Sequence, residues 1–225
     1  MGTDAPRPHQ LIAVRLGDAP AAWAAAGFAV TLHEDGTGTV RIGRTAVELS
    51  GSGAGFEGWA LDGVDAPVDG LGTVTPWRAV ATPGATAHPN GVDRIDHVVL
   101  LTGDVPRTVA ALERAGLEVR GSRQTQAVGG PALQVFVWAG DVILELVGPD
   151  EGEPTTDDPA SVLGLALAST DLNATAVYLG DLLGTPRDAV QPGRRVATLR
   201  HKQVGMRLPL LLMSPHVPGH GRPTA

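Results

Sequence analysis

The sequence contains no cysteine, which excludes disulfides, zinc–thiolate sites and thiol nucleophiles together. No apolar run approaches the roughly 18–20 residues that a helix needs to cross hydrocarbon, so no membrane association is expected. Positive charge is in the minority: 17 Lys and Arg against 24 Asp and Glu give a formal charge of −7. That sign argues against binding to nucleic-acid backbones, which attract basic surfaces. Met1–Gln10 is polar and proline-rich and lacks the charged-then-apolar layout of a secretory signal. A soluble, cytoplasmic, slightly acidic globule is therefore expected. Glycine and proline, by contrast, are plentiful at 30 and 18 residues of 225, so long unbroken helices are not expected. The length suffices for one large domain or two small ones with a real core.

Three segments share one order: a short apolar strand, an aspartate, a helical stretch, then a glycine. The first runs Leu11–Leu16, Asp18, Gly27; the second His97–Thr102, Asp104, Gly116; the third Leu163–Thr170, Asp171, Gly184. Aspartate suits a helix N-cap because its carboxylate accepts the unpaired amides of the first turn. Pro20 and Pro106 tolerate that first turn, and glycine takes the left-handed conformation that stops a helix. Hairpin-like pairs follow each helix: Gly38–Ile42 with Thr45–Ser50, Leu133–Trp138 with Val142–Val147, and Val196–Arg200 with Met206–Met213. Strand, helix and three strands thus recur, most weakly in the third copy. The fragment Gly58–Asp65 resembles Gly164–Asp171 and reads as the remnant of a fourth copy.

The expected organisation is an α+β chain of repeated βαβββ modules whose curled sheets surround a concave cleft. Residues 10–65 form a degenerate first module, 66–93 a linker, and 94–149 with 161–215 a pair of modules; residues 1–9 and 216–225 read as disordered. Alternation within the second module puts Val98, Leu100, Val135, Val137, Leu144 and Leu146 beneath the helix. The opposite face then carries His97, Val99, Gln134, Phe136, Trp138, Ile143 and Glu145. In the third module Leu163, Leu165 and Leu167 would cover the helix, leaving small Gly164, Ala166 and Ala168 to open volume opposite His97 and Glu145. An apolar hollow with a few converging polar groups suits a small-molecule ligand. Gln134, Phe136, Trp138, Gly164, Ala166 and Leu211 are its candidate lining.

The runs Ile95–Leu101, Ala111–Val119 and Val142–Pro149 resemble the vicinal-oxygen-chelate superfamily, which includes glyoxalase I, bleomycin-resistance proteins and extradiol dioxygenases. The resemblance implies a divalent metal (Zn, Mn, Ni or Fe) in the cleft, with one ligand from the first and one from the last strand of each module. It places His97 and Glu145 on ligand positions. Glu48 matches Glu145 in the first module, where Leu11 matches His97 and His9 lies on the same strand face. Gly164 and Leu211 stand at the two positions of the third module, so the ligand set is incomplete unless Glu48 completes it. The resemblance also makes a homodimer an expected assembly.

Gly53–Gly58 fits G-x-G-x-x-G, but a strand rather than a helix follows, so a connector is expected. Arg194-Arg195 and Arg200-His201-Lys202 read as solvated hairpin tips. His216 and His220 fall in the tail. Two functions follow: a protein that binds a small apolar or aromatic molecule without chemistry, or a metal-dependent lyase, isomerase or dioxygenase acting on vicinal oxygens. An interaction module is a third reading.

Overall fold

The computed structural model describes residues 9–77, 87–127, 130–150 and 155–215. The sequence expectations for residues 1–8 and 216–225, including His216 and His220, fall outside them. Period-two patterning resolves into two mixed sheets. The first module supplies β1 (Leu11–Leu16), α1 (Pro20–Ala25), β2 (Val30–Leu32), β3 (Gly38–Ile42) and β4 (Thr45–Leu49), followed by β5 (Phe56–Leu61). These strands form a five-stranded sheet in the order β2-β3-β4-β1-β5. The second module comprises β6 (Val92–Leu101), α2 (Val105–Arg114), β7 (Val119–Ala127), β8 (Gly130–Ala139) and β9 (Val142–Pro149). The third has β10 (Ser161–Ser169), α3 (Leu172–Leu179), β11 (Arg187–Asp188), β12 (Arg195–Thr198) and β13 (Leu210–Met213). Together they form one eight-stranded sheet, β11-β12-β13-β10-β6-β9-β8-β7.

In every module the first strand runs parallel to the last: β1 with β4, β6 with β9, β10 with β13. Parallel neighbours need a crossover, and the intervening helix supplies it. The second and third modules join through antiparallel first strands, β6 against β10. β5 pairs antiparallel with β1 in the same manner, the place a fourth module's first strand would occupy. It opens at Phe56 inside Gly53–Gly58, where no helix forms. The shared core collects Val98, Leu100, Val135, Val137, Leu144 and Leu146 around Leu112 of α2, together with Trp23 of α1 and Trp59 of β5.

The helix ends only partly follow the sequence pattern. Asp104 accepts from the Arg107 amide and Asp171 from Asn173 and Ala174. Asp18 is no cap: it is buried, accepting from the Trp23 indole at 3.0 Å and the Arg207 amide at 2.7 Å. Neither donor is a backbone amide of the first turn, and Ala19 takes the N-cap place without a side-chain bond. α3 stops at Gly180, with φ of 52°, rather than at Gly184. The chain between the modules is pinned. Val68 and Leu71 enter the core, and Asp69 pairs with Arg107 at 3.0 Å and accepts from the Thr108 hydroxyl.

His88 and Asn90 fasten the approach to β6 onto the first module. The Asn90 amide donates to Ala26 O at 2.9 Å, while His88 Nδ1 accepts from the Ala29 amide and Nε2 donates to Arg41 O. An acceptor at Nδ1 and a donor at Nε2 specify a neutral ring. Burial pushes the imidazole below its ordinary 6.5, outweighing the hydrogen bond to Arg41. The unfolded chain therefore takes up this proton first as pH falls. The His88 contribution to stability is present above about pH 6.5 and lost as pH falls toward the folded value. Denaturant titrations between about pH 7 and pH 5 are expected to show a decline that the His88→Gln variant lacks; parallel curves for the two proteins would show the ring is not held neutral.

Candidate functional site

The site begins with a bulge. Against β10, His97 pairs with Ala166 but Ile95 pairs with Leu167, leaving Asp96 as an extra residue. A bulge re-aims a side chain that alternation would send elsewhere. Asp96 is buried and held by Arg194, with Nη2 donating to Oδ2 at 2.8 Å and Nη1 to Oδ1 at 3.3 Å. Arg194, 2% exposed, also donates to Gln191 Oε1 at 2.7 Å and to Ser214 O from Nε and Nη2. Burial opposes ionisation of Asp96, but the hydrogen bonds from His97 and Arg194 and the guanidinium charge win. They hold its carboxyl well below the usual carboxylate range.

His97 Nδ1 lies 3.0 Å from Asp96 Oδ1. An ionised carboxylate only accepts, so the ring donates from Nδ1 and, when neutral, offers the Nε2 lone pair on the other side. Nε2 faces Glu145 Oε2 at 3.6 Å. Glu145 Oε1 accepts from Gln134 Nε2 at 2.6 Å, and Gln134 Oε1 accepts from Arg123 Nε at 2.5 Å. One polar chain thus crosses the sheet: Arg123, Gln134, Glu145, His97, Asp96, Arg194. Beside it lies a cavity of about 170 Å³ walled by Phe136, Trp138 and Ile143, floored by His97 and Glu145, and edged by Arg123 and Gln191. Trp138 and Ile143 also wall a second cavity of about 250 Å³, between the β3–β4 turn and the start of β6.

Of the candidate residues, His97, Glu145, Phe136 and Trp138 line the first cavity, and Gln134 braces Glu145 beneath it. Gly164, Ala166 and Leu211 do not line it. Ala166 is buried with Val196, Met213 and Leu211, and a Cβ on Gly164 would lie 2.6 Å from Pro209 O. The volume expected opposite His97 is therefore filled by the third module's own side chains. Leu163 does not cover the helix: a register shift between Val162 and Gly164 leaves it 49% exposed. Arg194 is no solvated tip but a buried strut, whereas Arg200 and Lys202 are exposed. Glu48 is spent in the first sheet, where Oε2 accepts from Arg15 at 2.8 Å and Oε1 from the Trp77 amide at 2.6 Å. Strand register also matches Ala13, not Leu11, to His97, since Ala13 pairs with Ala46 two residues before Glu48, as His97 pairs with Ile143 two residues before Glu145. His9 instead bonds Asp62 O through Nδ1.

Among solved structures, a triple mutant of 4-hydroxymandelate synthase from Streptomyces coelicolor matches over 96% of this chain and 95% of its own, with a TM-score of 0.65 and 14% identity. Catechol 2,3-dioxygenase matches over 97% and 91%, at 0.60 and 12%. A fusion of a xylose isomerase-like TIM barrel with 4-hydroxyphenylpyruvate dioxygenase matches over 99% of this chain but 51% of its own, at 0.59 and 11%. The chain has the vicinal-oxygen-chelate fold. No family model and no curated protein matches the sequence. Identity this low establishes the architecture and leaves the activity to the site itself.

The metal centre implied for a vicinal-oxygen-chelate protein does not fit these donors. His97 and Glu145 converge, but among the described residues no third His, Cys, Asp or Glu completes a metal-holding group. Asp96, the nearest further carboxylate, is committed to Arg194 and to His97 Nδ1. Catalytic sites of this kind usually need three protein ligands. No described helix is long and apolar enough to cross a membrane.

Asp96, Arg194, Arg123 and Gln191 escape the sequence reading. A bulge has no simple alternation signature, and Arg194 sits in a Gln-Pro-Gly-Arg-Arg turn of solvated type. Removing Arg194 alone strands a buried carboxylate, at a cost of about 3–5 kcal/mol. Arg194→Met is expected to destabilise by that order, and Asp96→Leu combined with Arg194→Met by less than the sum of the two singles, measured by chemical denaturation. Additive losses would show the pair is not coupled. The Asp96 contribution should be complete above about pH 4 and be lost as the solution is acidified below it.

Proposed function

We propose that this chain binds a small aromatic molecule in the cleft of its second module, without a resident catalytic metal. The observation that carries this reading is the cavity itself: about 170 Å³ between Phe136, Trp138 and Ile143, over a His97–Glu145 floor. An apolar protein cavity of roughly 150 Å³ accommodates benzene, so one ring fits. Phe136 and Trp138 can stack on a ring, while the two floor residues orient its polar substituent. The neighbours that span most of this fold are named for monocyclic aromatic compounds: 4-hydroxymandelate, catechol and 4-hydroxyphenylpyruvate. That shared chemistry supports the same class of ligand here. The alternative, a metal-dependent lyase, isomerase or dioxygenase, rests on the 3.6 Å approach of His97 to Glu145 and lacks a third ligand.

Calorimetric titration with phenol and catechol tests the reading. Saturable one-to-one binding is expected, weakened about tenfold by Trp138→Ala, the loss of one stacking contact. Failure of both compounds to bind would remove the aromatic site. Elemental analysis of tag-free protein separates the alternative: a stoichiometric transition metal, lost in Glu145→Ala, would establish the metal enzyme in its place.

A further inference from the structure

We infer that the cavity between the first and second modules is a binding site of its own, taking a medium-chain aliphatic carboxylate held by Arg44 and Arg94. It does not depend on the aromatic reading of the cleft. The two cavities share only the cross-strand pair Trp138–Ile143, and neither arginine lines the cleft. The inter-module cavity measures about 250 Å³. Its walls are Ile42 on β3, Ile95 on β6, Trp138 on β8, and Val142 and Ile143 on β9. The polar groups set among them are already bonded. The Thr45 hydroxyl donates to Leu11 O at 2.8 Å, and Asp96 is committed to Arg194 and His97. Gln10 accepts from the Asp141 amide and donates to Leu11 O, each at 3.3 Å. The body of a ligand thus meets a mainly aliphatic surface, which suits a hydrocarbon chain. Scaled from the roughly 150 Å³ that holds benzene, the volume accommodates about eight to ten carbon atoms.

The charge stands at the mouth. The β3–β4 turn presses on β6 through Gly43, whose φ is 58°. A Cβ there would lie 3.4 Å from Asp93 O and 3.6 Å from Arg94 Cβ. That contact brings Arg44 of one module and Arg94 of the other to the same cavity, both partly exposed. Neither guanidinium is well matched. Arg44 has Asp141 at 3.7 Å, beyond hydrogen-bond reach, with the two side chains 57% and 62% exposed. Arg94 reaches only the adjacent Asp93, from Nη1 at 3.2 and 3.4 Å. Among the described residues, the other donors of both side chains have no protein acceptor. Like charges gathered at one opening repel, and a shared carboxylate relieves that repulsion while engaging the guanidinium fork. Asp93 and Asp141 flank the same arginines, so a second negative charge on the ligand would be opposed. One carboxylate on an aliphatic chain is the ligand these groups describe.

Calorimetric titration with octanoate and 1-octanol tests the site. Octanoate is expected to bind one-to-one, about tenfold more tightly than octanol, which has the chain without the charge. That advantage should shrink as salt rises, because the mouth is open to solvent. Arg44→Gln and Arg94→Gln should each reduce it, and the double variant should abolish it. Asp141→Asn, which deletes the competing carboxylate, should tighten octanoate about threefold. Thermal melts check that each variant folds. Equal affinities of octanoate and octanol would overturn the inference, as would an advantage that survives the double arginine variant. Absence of binding by both compounds would overturn it as well. None of these outcomes bears on phenol or catechol in the cleft, so failure of one site is distinguished from failure of the other.

Discussion

The buried Asp96–Arg194 ion pair is the constraint on which the cleft depends. Two charges taken out of water are expensive, and they stay charged only where geometry and further hydrogen bonds compensate. Here the guanidinium donates hydrogen bonds to Asp96, Gln191 and Ser214, and the carboxylate also receives the His97 ring. The pair ties the second module's first strand to the segment entering β12. It also sets the tautomer and orientation of His97, and hence what the cavity floor presents to a ligand. A single bulged residue on β6 thereby links sheet register to site chemistry.

Register explains why one module alone holds a His–Glu pair. The positions equivalent to His97 carry Ala13 in the first module and Gly164 in the third; those equivalent to Glu145 carry Glu48 and Leu211. Each replacement has a physical reason. Gly164 lies too close to Pro209 O for any Cβ, and Ala13 packs in a small-residue layer with Ala46 and Ala60. Glu48 keeps its carboxylate, but Arg15 reaches it across the parallel β1–β4 pair, under the Trp77 ring. Both sheets therefore carry an arginine–carboxylate pair, half-buried at Arg15–Glu48 and buried at Asp96–Arg194.

The sequence discloses most of what depends on local periodicity. The second module's two faces separate as alternation requires: the six aliphatic core positions are buried, while the seven on the other face remain partly accessible. The N-caps at Asp104 and Asp171 are equally legible, because a cap is a contact within one turn. Legibility ends where distant residues compete for the same group. Asp18 has the position of a cap, but Trp23 and Arg207 claim its oxygens. Leu163 has the phase of a core residue until a register shift turns it outward. Arg194 looks like a turn residue because its partner lies 98 positions away. Long-range pairing of this kind leaves no mark on composition or spacing.

The polar chain from Arg123 to Arg194 is better described by the order of its charges than by their sum. It contains two arginines and two carboxylates, whose formal charges cancel. Balance over the whole chain is not balance at each point. Asp96 is matched at contact distance by Arg194, whereas Glu145 is separated from Arg123 by the Gln134 amide. The amide relays hydrogen bonding without moving charge, so it preserves a dipole along the cavity wall. Fixed dipoles in partly desolvated surroundings act more strongly on a ligand than the same groups in water.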